Sequence, residues 1–259
     1  MGTMRFESFG AAAEVVCEDA EWFESLPLVL PPDWRPTDTQ PLARFELAPD
    51  GRVTIDGVEF FHNEVGREQP LLRLGSVVRH HLALYASAYA FIHAGVVAVD
   101  GVAIVLPGSS HSGKTTLVAE LVRAGATYYS DEYAVVDDDG AIHPYAKPLS
   151  IRDEGKGRLG TPVPVAPEQI ASAPTRAGLV VLTSYAQGTS WKPTRCSAAE
   201  GALGLLANTV AARPRPAQSL AAASRLSRDA VVLAGERGEA AQTAQALIDA
   251  AAKECPIYP

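Results

Sequence analysis

The chain has 259 residues, with 22 Lys and Arg against 30 Asp and Glu and a net charge of −8. An acidic chain without a basic cluster is a poor candidate for nonspecific binding to nucleic acid or to a membrane surface. Its three cysteines, Cys17, Cys196 and Cys255, form neither a CxxC pair nor a disulfide framework, and no apolar run is long enough to cross a bilayer, so we expect a cytoplasmic protein.

The first 66 residues are expected to form a small β-rich module. Strands are predicted at residues 12–17, 44–47, 52–55 and 58–61, and the last three are separated by the turn signals Pro49-Asp50-Gly51 and Asp56-Gly57. Apolar residues at helical spacing then predict a helix over residues 71–91. This helix is expected to lead into a second domain, residues 67–259.

Two apolar runs, residues 94–99 and 102–107, are joined by Asp100-Gly101, a dipeptide typical of a two-residue hairpin turn. The two strands are therefore expected to pair antiparallel. This register sets Val99 opposite Val102 and, counting back along both strands, His93 beside Gly108.

A phosphate-binding loop of the pattern G-x-x-x-x-G-K-[ST] is present at Gly108-Ser109-Ser110-His111-Ser112-Gly113-Lys114-Thr115. It follows the second strand of the hairpin and precedes a predicted helix over residues 115–124. Backbone N–H groups of such a loop and the helix N-terminus form an anion site. We expect the loop and Thr116 to bind ATP, with Lys114 at the β- and γ-phosphates and the Thr115 hydroxyl on Mg²⁺. His111 is a candidate phosphate contact.

An acidic pair, Asp131 and Glu132, follows a short strand predicted at residues 126–130. Phosphoryl transfer needs a carboxylate for Mg²⁺ and often one that accepts the proton of the acceptor. Neighbouring side chains of an extended chain point in different directions, so one carboxylate is expected to serve the metal and the other the acceptor hydroxyl. Asp131 is the candidate base, helped by His93 if the hairpin sets that imidazole nearby. A solvated acidic turn is the alternative.

The remaining residues alternate predicted strands and helices, which indicates an α/β domain. A hairpin is expected over residues 133–143, and a loop over residues 153–167 has the length and composition of a mobile active-site or substrate loop. Strands are predicted at residues 178–185 and 230–233, and helices at residues 200–210, 217–226 and 239–251.

A family resemblance rests on His93-Ala-Gly-Val-Val, the Asp100-Gly101 turn, the phosphate loop and Ser130-Asp131-Glu132. In order and spacing, these residues resemble the catalytic domains of HPr kinase/phosphorylase. The resemblance implies a P-loop kinase core of the HPr kinase and PEP carboxykinase-like type with a mixed sheet. It covers residues 90–155 best and leaves out the first 65.

The resemblance also implies roles for single residues. Asp131 would deprotonate an acceptor serine together with His93, while Lys114 and Thr115 would handle the phosphates and Mg²⁺. Glu132 would bind metal, and Arg152 would match a family arginine near the active site. Relatives in this family often assemble, which leaves a homo-oligomer open.

The function predicted from these features is an ATP- and Mg²⁺-dependent kinase acting on a serine-type hydroxyl of a peptide, a protein or a small metabolite. HPr itself is a poor candidate, because the segment after Arg152 and the N-terminal module do not match the family pattern. Two alternatives stay open: a nucleotide-sensing binding protein without transferase activity, and a carboxykinase-like enzyme or ATPase.

Overall fold

The structure is a computed structural model that describes residues 1–60, 69–108, 112–151 and 161–254. Several predicted features lie outside these ranges: the candidate site residues Ser109, Ser110, His111 and Arg152, and residues 153–160 of the predicted loop. The described chain divides into two compact units, one running to Ala88 and one beginning at Tyr89. None of the described helices is long and apolar enough to cross a membrane.

A sheet with strand order β3-β1-β2-β4-β5-β6 and two helices forms the first unit. The strands are β1 (Gly2–Ser8), β2 (Ala11–Cys17), β3 (Arg35–Pro36), β4 (Arg44–Leu47), β5 (Val53–Ile55) and β6 (Val58–Glu59), and the helices are α1 (Ala20–Ser25) and α2 (Pro70–Tyr85), with a 3₁₀ turn at Leu26–Leu28. The β-rich character of this region matches the prediction, although β1, β3 and α1 were not predicted.

Helix α2 differs from its prediction at its end and in its place. It ends at Tyr85, short of residue 91, because Ala90 and Phe91 are buried in the next strand instead. Its apolar residues Leu74, Val78 and Leu82 are buried, and the helix packs on β2, β4 and β5. The first compact unit therefore extends to Ala88, beyond the boundary that was expected after residue 66.

A mixed sheet forms the centre of the second unit, with strand order β11-β10-β7-β8-β14-β16-β15 and β9 also paired to β7. Its strands are β7 (Ala90–Val99), β8 (Val102–Pro107), β9 (Thr127–Ser130), β10 (Tyr133–Val136), β11 (Ile142–His143), β14 (Arg176–Tyr185), β15 (Thr194–Cys196) and β16 (Val231–Arg237), and a separate pair is β12 (Leu149–Ile151) with β13 (Thr161–Val163). The helices are α3 (Lys114–Arg123), α4 (Ala198–Leu206), α5 (Pro216–Arg228) and α6 (Ala240–Glu254), with a 3₁₀ turn at Pro167–Gln169. This confirms an α/β fold with a mixed sheet, while β13 forms where a loop was expected.

The hairpin of β7 and β8 has the predicted register. Val99 pairs with Val102, and the N–H of Gly108 donates to the carbonyl of His93 at 3.1 Å. Asp100 and Gly101 have φ values of 50° and 78°, as a type I′ turn requires. Strand β8 also pairs with β14, and β14 with β16, both in parallel. The carboxyl ends of these three strands therefore meet at one edge of the sheet.

Helices cover both faces of this sheet. Alternate residues of β7, such as Ile92 and Val96, join a core with α4 and α5, while Val97 joins the core with α3 and α6. Gly95 allows α3 to lie close to β7, because a Cβ atom there would be 2.5 Å from Val118 Cγ2. Close packing at Val118 holds α3 against β7.

Candidate phosphoryl-transfer site

The described part of the phosphate loop is compact and shaped by its glycines. Gly113 has a φ of 75°, a conformation that glycine adopts without strain, and α3 begins at the next residue. At Gly108, a Cβ atom would lie 2.9 Å from Ser112 Oγ. Lys114 Nζ donates to Ser112 Oγ at 3.4 Å. These features suit a loop whose backbone approaches a phosphate closely.

Arg237 supports this loop from the end of β16, and the sequence did not indicate it. The residue is 3% exposed, and its Nη2 donates to the Gly113 carbonyl at 3.0 Å while Nη1 donates to the Gly238 carbonyl at 3.2 Å. Its guanidinium also lies 5.5 Å from the centre of the Tyr185 ring. Burial lowers the pKa of Arg237 from its usual value. The only signal in the sequence was that an arginine follows, four residues later, the apolar strand predicted to end at residue 233.

A buried carboxylate lies at the first turn of α3. The Asp131 side chain is 2% exposed, and Thr115 Oγ1 donates to its Oδ2 at 3.1 Å. The Tyr128 hydroxyl lies 3.2 Å from Oδ1 of the same carboxylate. Burial, and then the negative charge of Asp131, raise the pKa of Tyr128 well above its usual value, which keeps this hydroxyl protonated. The structure thus brings together Thr115 and Asp131, as predicted for a metal site.

Lys147 completes this group of charges and was not predicted. Its Nζ lies 2.9 Å from Asp131 Oδ1 and 3.7 Å from Glu132 Oε2. The two carboxylates therefore approach the same ammonium, and the expectation that they point in different directions is wrong. The reason is a bend at residues 131 and 132, where Ser130 Oγ accepts the N–H groups of Glu132 and Tyr133 at 3.0 and 2.9 Å.

His93 is tied to the phosphate loop through its backbone. Its carbonyl accepts from Gly108, and its N–H donates to the Asn208 carbonyl at 2.8 Å. On the neighbouring strand it pairs with Tyr133, and the two ring centres are 4.8 Å apart. Tyr133 is two residues from Asp131, so the pairing of β7 with β10 sets the histidine close to the acidic bend.

The residues around Thr115 fit a magnesium ion. No group of three or more His, Cys, Asp or Glu side chains able to hold a metal occurs in the parts of the chain that the structure describes. Mg²⁺ needs no such cage, because it is usually held by one or two carboxylates together with phosphate oxygens and water. The Thr115 hydroxyl and the Asp131 carboxylate are oxygen donors of this kind, 3.1 Å apart. Glu132 is a further oxygen donor beside them.

Comparison with protein-family models and with curated proteins finds no match for this chain. The resemblance to HPr kinases thus continues to rest on the residues quoted for it, and the family remains a prediction.

Proposed function

We propose that the second unit is an ATP- and Mg²⁺-dependent kinase that transfers the γ-phosphate to a serine-type hydroxyl of a peptide, a protein or a small metabolite. The observation that carries this proposal is the hydrogen bond between Thr115 Oγ1 and Asp131 Oδ2. This hydrogen bond joins the last residue of the phosphate-loop pattern to a buried carboxylate. Phosphoryl transfer requires a hydroxyl and a carboxylate of this kind to hold Mg²⁺ next to the nucleotide phosphates.

In this proposal the chain supplies positioning and charge. Lys114 and the loop N–H groups bind the phosphates, and Arg237 holds the loop at Gly113. Thr115 and Asp131 would hold Mg²⁺, which when bound neutralises negative charge on the phosphates. The acceptor oxygen forms a bond to the γ-phosphorus, the bond from that phosphorus to the bridging oxygen breaks, and ADP leaves. The hydroxyl proton passes to a carboxylate of the acidic bend.

Two carboxylates compete for the role of base. Asp131 is the residue that the resemblance favours, but both of its carboxylate oxygens are already engaged: Oδ1 lies 2.9 Å from Lys147 Nζ, and Oδ2 accepts from Thr115 Oγ1. The Glu132 side chain is 19% exposed, against 2% for Asp131, and lies farther from the ammonium. Asp131 therefore acts as base only if Lys147 moves away when substrates bind and Glu132 holds the metal in its place. If Asp131 stays with the metal, Glu132 takes the role of base.

A nucleotide sensor without transferase activity is the second candidate. The ion pair between Lys147 and Asp131 favours it, because the ammonium engages the carboxylate oxygen that a base would need free for the acceptor hydroxyl. A sensor would bind ATP and change conformation with no phosphorylated product.

The test compares Asp131→Asn and Glu132→Gln with Asp138→Asn, which removes the same charge from an exposed turn residue. Binding is measured with a fluorescent ATP analogue, and transfer with labelled ATP and candidate hydroxyl acceptors. We expect the variant that lacks the base to retain nucleotide binding and to lose about 10²–10⁴-fold in transfer rate. Normal transfer by both variants would refute the base assignment. ATP binding by the wild type with no product from any acceptor would favour the sensor.

A further inference from the structure

A cavity of about 450 Å³ opens in the second unit at the carboxyl ends of β8, β14 and β16. Its volume lies in the range of about 300–1,000 Å³ that is usual for small-molecule sites. In open α/β sheets, ligands bind outside the carboxyl ends of the strands. The sequence did not indicate this cavity, because its walls come from four separate segments of the chain.

The cavity borders the phosphate loop on two sides. Pro107 lines it and directly precedes Gly108, while Glu236 lines it and directly precedes Arg237, which donates to the Gly113 carbonyl. A third lining residue, Asn208, accepts the N–H of His93, whose carbonyl accepts the N–H of Gly108. A ligand in this cavity would therefore lie next to the phosphate loop.

Most of the lining is apolar, and its polar part includes one carboxylate. The polar lining residues are Thr183, Ser184, Asn208 and Glu236, and no Lys, Arg or His is among the lining residues. Glu236 is exposed and brings a carboxylate to the cavity.

We propose that this cavity binds the phosphate acceptor, and that the acceptor is a small hydroxyl-bearing amine. The inference rests on the proposed kinase function and names the substrate class of that site. The hydroxyl and amide groups suit a hydroxylated ligand, and the Glu236 carboxylate favours a cationic amine. The same carboxylate repels the negative charge of a phosphorylated product, which helps that product to leave.

The first test uses four acceptor probes with labelled ATP: serinamide, threoninamide and the N-acetylated form of each. We expect at least about tenfold higher kcat/KM for the two amines, and Glu236→Gln is expected to remove most of this preference. Transfer to the N-acetylated forms at equal rates would overturn the amine assignment. Nucleotide binding without transfer to any of the four probes would overturn the acceptor class.

The second test fills the cavity. Ala207 lines it and is exposed, so Ala207→Phe can add bulk without burying a ring in the core. Leu203→Phe is the matched control, because Leu203 is 64% exposed on α4, the helix that ends just before Ala207, and does not line the cavity. We expect the acceptor KM to rise at least about tenfold for Ala207→Phe only, while the Kd for a fluorescent ATP analogue changes less than about twofold.

The outcomes separate the two proposals. An unchanged acceptor KM for Ala207→Phe, in an enzyme that still transfers phosphate, would overturn the cavity assignment and leave the kinase proposal intact. Failure of the wild type to bind ATP would overturn the kinase proposal itself.

Discussion

Arg237 offers the sharpest test of how the site is built, because stability and nucleotide affinity should respond differently to its loss. The substitution Arg237→Met keeps an unbranched side chain of similar length but removes the charge and both hydrogen bonds, to the Gly113 and Gly238 carbonyls. Arg237 as a whole residue is 3% exposed, and its guanidinium forms no ion pair with a carboxylate of the described residues. It is thus a buried charge that carbonyl groups and the Tyr185 ring partly offset.

The stability change is the difference of two large terms. Two hydrogen bonds from a charged donor contribute about 1.5–3 kcal/mol each. Burying a cation without a carboxylate costs several kcal/mol, which the methionine avoids. The Gly113 carbonyl also keeps a donor, since the N–H of Leu117 lies 3.2 Å from it. We therefore expect the free energy of unfolding to change by less than about 2 kcal/mol, a small net effect of opposing terms.

The loss of nucleotide affinity in Arg237→Met is not offset by an opposing term. A unit charge within about 8 Å of a phosphate interacts with it by about 2 kcal/mol at an effective dielectric constant of 20. Removing the charge should therefore weaken ATP binding about 30-fold. The control is Arg195→Met, which removes an exposed arginine that pairs with Glu254. It should leave the Kd nearly unchanged.

Urea denaturation without nucleotide measures the stability, and titration of a fluorescent ATP analogue at about 0.15 M salt measures the affinity. The reasoning fails if Arg237→Met binds the analogue as tightly as Arg195→Met does. It also fails if the free energy of unfolding drops by more than about 4 kcal/mol, because the guanidinium would then be a net structural support.

Three further predictions concern stability. Lys147→Met leaves the carboxylates of Asp131 and Glu132 without their shared ammonium. Because the Lys147 side chain is 20% exposed, we expect the free energy of unfolding in urea to fall by about 2 kcal/mol and Mg²⁺ to restore part of it. An unchanged free energy of unfolding would contradict the ion pair. Gly95→Ala forces α3 away from β7 and should cost about 1–3 kcal/mol, whereas an unchanged melting temperature would mean that the helix shifts freely. Burial lowers the pKa of His81, so the unfolded chain gains a proton first and stability falls as pH drops below about 6.5. His81→Phe should reduce the slope of the free energy of unfolding against pH by at most about 1.4 kcal/mol per pH unit. An unchanged slope would mean that other groups cause the pH dependence.

The parts of the site that were predicted correctly depend on local rules. An Asp-Gly turn fixes its own register through the positive φ of both residues, so the pairing of His93 with Gly108 followed from counting. The helix that follows Gly113 likewise depends on neighbouring residues. The acidic pair was found because a strand after the loop helix returns to the same sheet, where Ser130 pairs with Val96.

The errors arose where distant residues decide the conformation. Apolar spacing could not tell whether Phe91 belongs to a helix or a strand; its pairing with Val135 decides this, and that partner lies far along the chain. The direction of the Asp131 and Glu132 side chains depends on a bend held by a serine hydroxyl, which alternation along an extended chain does not describe.

The sequence by itself determined the phosphate-loop pattern, the hairpin that leads into it and the acidic residues after it, because each is encoded within a few consecutive positions. Only the tertiary structure decided that Lys147 pairs with those acids, that Arg237 holds the loop and that a cavity opens beside it. These groups meet through sheet pairing and packing between remote segments. The residues next to a charged side chain in the sequence do not indicate which partner that side chain will contact in the folded protein.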